Sequence, residues 1–279
     1  MSVPGVAVSG AEPWRPAKAG HLSAVAGRNP GGRLKPVTRR HTPSMDWNAK
    51  RAWAAAEHGA RSAQPPVEGE REDFRLAAIA GASWAEGLAA LMLGERTDGE
   101  GLLRRAADEY RVSWAAAPGA SWGRPIAAMR CRLMAGDEEG FVIDATATLS
   151  AGSGAATGSI AGYATALALL GLRRDGEALP VSSGLQGRDD FVLPVADALA
   201  ALASGDGPGY AAASAAVIRS FEEREAFLED TPVADTVLVL DALAATRGLS
   251  AIHEPSELLP LVGATPVGKK RVPPGRGAA

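Results

Sequence analysis

An all-α fold is what this 279-residue chain predicts, on three observations. Hydrophobic residues make up 46% of the sequence but aromatic ones only 5%, so the core is built largely from alanine and other small or aliphatic side chains. Alanine loses no side-chain entropy on entering a helix, which favours closely packed helices over sheets. Apolar residues recur at steps of three and four through most of residues 72–245, the period of a helix with one buried face. Four pairs of glycine with aspartate punctuate these runs, at Asp98-Gly99, Gly136-Asp137, Asp175-Gly176 and Gly205-Asp206, separated by 38, 39 and 30 positions. Helices joined by such turns form antiparallel hairpins, and stacking the hairpins buries faces that one hairpin leaves open.

Taken in order, residues 1–44 carry six prolines and six glycines without helical or strand periodicity. Such a segment buries too little apolar area to offset its ordering entropy and is expected to be disordered. Met45 opens the first helical stretch, with Asp46 as its cap, and offers an alternative start of translation. Gln64-Pro65-Pro66 ends that helix, so residues 45–69 are expected to be a short helix followed by a proline-containing linker. A helical repeat domain is expected over 70–262.

Within it, Leu76, Ala80, Trp84, Leu88 and Leu91 trace a stripe that Gly94 terminates. Thr97 and Glu100 have the spacing of a capping box, and Leu103, Ala107, Tyr110 and Trp114 follow as the stripe of the returning helix. The second hairpin is read from Ile126, Met129 and Leu133, then Val142, Ala145 and Leu149. The third is read from Ile160, Tyr163, Leu167 and Leu170, with Pro180 expected to allow little helix in its second half. The fourth is read from Val195, Leu199 and Leu202, then Tyr210, Val217, Phe221 and Leu228 on one long helix. A last helix takes Thr231 as cap, Pro232 as first residue, Val233, Val237, Leu240 and Ala244 as its buried face, and Arg247-Gly248 as its stop. It is expected to close the end of the stack, with Asp235 and Asp241 on its polar outer face.

The helix from Trp84 to Gly94, with Leu88 and Leu91, and the small-residue helix with Ala106, Ala107 and Tyr110 resemble tetratricopeptide-like repeats over about residues 72–230. The resemblance implies a short curved solenoid or bundle that binds another protein or peptide, and does not imply an enzyme. The last helix and its Leu-Leu-Pro tail are also similar in style to bacterial immunity proteins built from helical hairpins.

The net charge of −3 conceals a segregation. Residues 1–44 are net +6, residues 263–279 are net +4 and are expected to form a disordered basic tail, and the intervening body is net −13. An acidic body gives no electrostatic basis for binding nucleic acid. Cys131 is the only cysteine, and His21, His41, His58 and His253 lack ligand spacing, so neither a disulfide nor a metal cofactor is expected. With no apolar run long enough for a membrane span, a cytoplasmic setting without membrane or cofactor is the expectation.

A competing enzymatic reading rests on Gly152, Gly154 and Gly158. If Phe141–Leu149 were a strand, these glycines would form a nucleotide-cradling loop before a helix. Tyr163 lacks a lysine four positions on, Leu167 standing there, and is expected in the core; Ser182-Ser183-Gly184 lacks a nucleophile-elbow context. Glu222, Glu223, Glu225, Glu229 and Asp230 read as a solvated acidic face. Trp84, Trp114 and Trp122 suit core packing or interface anchoring. The candidate partner-binding residues are Trp122, Arg124, Arg130 and Arg132, because tryptophan and arginine together suit recognition of an acidic or aromatic peptide.

Overall fold

The structure is a computed structural model that describes residues 45–66 and 71–260. The two basic terminal segments expected to be disordered lie outside the described residues. The described residues form ten α-helices and no strand: α1 (Trp47–Ala63), α2 (Glu72–Met92), α3 (Arg96–Ala116), α4 (Gly123–Met134), α5 (Glu138–Ser150), α6 (Ser159–Gly171), α7 (Asp175–Gln186), α8 (Leu193–Ser204), α9 (Gly207–Glu222) and α10 (Asp235–Ala245).

One local device makes the hairpins. At the end of α2, Gly94 has φ +80°, its amide bonds to the Leu91 carbonyl, and the Glu95 amide reaches back to Ala90. This paired ending satisfies carbonyls that have no partner within the helix. The same two bonds recur at Gly136-Asp137, Arg173-Arg174, Gly205-Asp206 and Gly248-Leu249, ending α4, α6, α8 and α10. In each of the first four, the residue after the left-handed one is also the cap of the next helix. Asp137 and Asp206 cap α5 and α9 by accepting the Gly140 and Gly209 amides, both at 3.0 Å.

Two of the four expected turns therefore stand, and two move. Asp98-Gly99 lies inside α3, whose start is Arg96, so Thr97 caps nothing; the ending at Gly94-Glu95 has already begun the second helix. Asp175-Gly176 belongs to α7, and Arg173 takes the left-handed position with φ +61°. Pro180 does not stop α7, which runs on to Gln186. Both Pro180 and Gly176, whose carbonyl loses its bond to residue 180, are exposed, on the side of the helix where a lost bond costs least.

The expected stripes of α2, α3, α4, α6 and α8 are largely buried. In α5 the face is rotated: Phe141, Asp144, Ala145 and Thr148 are buried, whereas Val142 is exposed. The helix α9 ends at Glu222, and Leu228 sits exposed in a separate turn, Leu228–Asp230. Consecutive helices pack on one another, and α4, α6 and α8 also lie against their neighbours in that row. The helix α1 packs on α2 and belongs to the same compact unit.

The final helix differs most from expectation. Thr231 is no cap: its hydroxyl donates to the Glu229 carbonyl, and α10 begins at Asp235. The predicted face is buried, with Val233, Val237, Leu240 and Ala244 at most 2% exposed. That face is not confined to the end of a stack. It packs on α4, α8 and α9, and Arg247 ties the end of α10 to the Leu170 carbonyl and Asp175 at the α6–α7 turn. So α10 lies across the row of first helices. Asp235, expected outside, is buried against α4.

Candidate functional site

The four candidate residues lie on or at the start of α4, and α4 turns them to three different surroundings. Arg132 faces α3 and α5: its Nε donates to Asp144 at 3.1 Å, its Nη1 to Asp137 at 2.8 Å, and its Nη2 to Asp108. Arg111 adds a second bond to Asp144, at 2.7 Å. Burial disfavours the Arg132 charge, but the aspartates more than offset it and hold its pKa above the usual value.

Arg130 faces α10. Its Nη2 lies 2.5 Å from Asp235 and 3.2 Å from the Thr236 hydroxyl. Its Nε is buried without a partner. Beside it Cys131 is fully buried, and burial pushes its thiol up to about 12, so the lone cysteine carries no nucleophile near neutral pH.

Arg124 faces the start of α2. It donates to Asp73 at 2.6 Å and to the Ser113 hydroxyl at 2.8 Å, while Ser113 donates to the Asp73 carbonyl at 2.7 Å. Arg71 holds the same carboxylate with two further bonds. Beside these two arginines stands Phe74, 45% exposed, with the Arg71 guanidinium 4.5 Å and the Arg124 guanidinium 5.2 Å from the ring centre. Trp122, at the N-terminal end of α4 just before Arg124, is itself buried.

The structure thus brings together Arg124, Arg71 and Phe74, and sends Arg130 and Arg132 into inter-helix ion pairs. Phe74 is not among the sequence-predicted candidates, because it lies off the apolar stripe of α2. That displacement was the available signal, since an aromatic outside the buried face is exposed unless something else covers it.

The glycine-rich loop is built differently from a nucleotide cradle. Phe141–Leu149, the strand which that reading requires, lies within α5. Gly152 takes a left-handed turn, Ser153–Ala155 form one 3-10 turn, and Gly158 precedes α6. At the start of α6 the Ser159 hydroxyl donates to Asp190 at 3.0 Å, which places a carboxylate where a phosphate would be drawn by the helix end. The Arg188 hydrogen bond holds the Asp190 carboxyl below its usual range.

Further polar groups also bridge helices. His58, which lies before the expected repeat domain, sits in α1 and meets Glu109 of α3 at 2.8 Å; Glu109 also accepts from Ser83 of α2 at 2.5 Å. Asp241 of α10 accepts from Tyr210 and lies 2.8 Å from His253. Tyr163 packs on Phe191 with ring centres 5.5 Å apart, and Ser182 is buried within α7. Glu229, expected on a solvated face, is clamped by Arg61. No group of metal-ligating side chains occurs among the described residues, and no helix there is long and apolar enough to cross a membrane. Compared with family models, curated protein sequences and solved structures, the chain matches none.

Proposed function

We propose that this protein is a noncatalytic interaction module, a helical scaffold or an inhibitor of the immunity type, that binds another protein or peptide. The observation that carries the reading is the Phe74 surface. An aromatic ring nearly half exposed, with two guanidiniums beside it that share one carboxylate, forms an anchor of the kind that dominates protein interfaces. Asp73 is 2% exposed and holds both arginines, so their orientation is set before any partner arrives. A preorganised pair of guanidiniums beside a ring suits a partner segment that offers a carboxylate or an aromatic side chain.

The resemblance to tetratricopeptide-like repeats agrees with this role, and the charged side chains of α4 serve as ties between helices rather than as a reacting group. The test is capture from a lysate of the source organism on immobilised protein, comparing the natural chain with Phe74→Ser. More than half of Phe74 is covered, so this variant is expected to lose about 1–2 kcal/mol of stability and stay folded while losing the captured protein. An identical captured set with and without Phe74 would overturn the assignment of this surface. Saturable binding of NAD, NADP or a mononucleotide, seen as a clear rise in melting temperature, would favour the enzymatic reading instead.

A further inference from the structure

A second polar seat, on α1 and α2, holds part of the chain itself. Glu229 lies in the link between α9 and α10, and its two carboxylate oxygens each accept from Arg61 at 3.1 Å. Arg61 is fixed in turn by the Ala78 carbonyl at 2.7 Å. Lys50, 8% exposed, donates to the Glu229 main-chain carbonyl and stacks 3.8 Å from the centre of the Trp53 ring, which is 40% exposed. Gly81 leaves the floor bare: a Cβ there would stand 3.1 Å from Glu229 Oε1. The seat therefore recognises a side-chain carboxylate by a two-pronged guanidinium, a main-chain carbonyl by an ammonium, and has an open aromatic at its edge.

Its occupant is held in an unfavourable shape. Glu229 and Asp230 have φ of +48° and +46°, the left-handed region that residues with a Cβ seldom adopt. The neighbouring Leu228 is 58% exposed. Outliers of this kind persist where surrounding contacts over-determine them, and they cluster at clamps and switches.

We propose that this seat is an exchangeable docking site for an acidic segment of a partner protein, and that residues 223–231 are its intramolecular stand-in. The proposal rests on the reading of the protein as a partner-binding one. A partner segment that places a glutamate on Arg61 and a carbonyl on Lys50, without two consecutive left-handed residues, avoids the strain. Relief at one such position is worth on the order of tenfold in affinity. The local concentration of the tethered segment opposes exchange, so the site opens only to a segment that fits it better.

The probe is a synthetic peptide of residues 225–232 carrying Asp230→Gly, titrated calorimetrically into the full chain carrying Glu229→Gln. Saturable binding is expected, at least about tenfold tighter than to the natural chain and at least about tenfold weaker once Arg61→Gln is added. Absence of binding, or binding indifferent to Arg61, overturns the proposal. Should Glu229→Gln unfold the chain, hydrogen exchange on the natural protein gives the answer: a saturating peptide must speed exchange at residues 223–231, and unchanged exchange overturns it. The Phe74 capture experiment uses a different surface, so the two readings fail separately.

Discussion

Gly171→Ala sets packing directly against helix propensity. Gly171 is the last residue of α6, and an added Cβ would stand 2.0 Å and 2.1 Å from two atoms of the Phe141 ring on α5. Carbon atoms pack at about 3.5–4.0 Å, so ring and methyl must separate by roughly 1.5 Å. Phe141 is 3% exposed and hemmed in by the core, which leaves it no free rotamer to occupy. Overpacking of this kind costs about 1–3 kcal/mol, whereas replacing glycine with alanine inside a helix gains up to about 1 kcal/mol, and less at a helix end. Packing wins, with a net loss of about 2 kcal/mol, equivalent to a fall in melting temperature of about 4–8 °C for a chain of this size. Thermal and urea unfolding followed by circular dichroism read the change. Phe141→Leu makes room for the methyl, so the double variant is expected to be more stable than the sum of the two single losses. A Gly171→Ala protein as stable as the natural one, or more stable, would refute the close approach of α5 and α6.

Leu240→Asp places a carboxylate at a position 1% exposed on the inner face of α10 and is expected to unfold or aggregate the protein; a soluble variant with an unchanged melting temperature would show that this face supports nothing. A third expectation concerns pH. His253 has its pKa raised chiefly by the hydrogen bond to Asp241, against the opposing effect of burial. Its contribution to stability is therefore fully present below the unfolded value of about 6.5 and is lost as pH rises through the higher folded value. The urea midpoint is expected to fall as pH rises above about 6.5, and Asp241→Asn to flatten that slope; a slope unchanged in the variant would remove His253 as its source.

Much of the architecture is legible in local pattern. Gly136-Asp137 and Gly205-Asp206 are readable because a left-handed residue followed by a capping aspartate is a short-range requirement, complete within nine residues. The faces of α2, α3, α8 and α10 are readable for the same reason, since helical period and burial coincide there. The third turn is not, because Arg173 stands where glycine is expected and no local preference announces it.

Position around the fold is harder to read than helix. Nothing in the period of α10 tells whether Leu240 faces the end of a stack or the row of first helices, because both surfaces are apolar. Charge pairing is harder still. Arg132 meets Asp108 and Asp144, and Arg130 meets Asp235 more than a hundred residues away. From sequence the arginines of α4 look alike. Only the packing of α4 between α3, α5 and α10 sends two of them inward and leaves Arg124 beside an exposed ring.

The most direct test of that arrangement is a double-mutant cycle joining α4 to α10, with Arg130→Met and Asp235→Asn measured singly and together by urea unfolding. Arg130 retains 23% exposure, which puts each single loss below the 3–5 kcal/mol of a fully buried pair, at about 2–3 kcal/mol. An interaction energy of at least about 1.5 kcal/mol is predicted, because the double variant leaves no charge stranded. Losses that simply add, to within about 0.3 kcal/mol, would contradict the placement of α10 across the first helices.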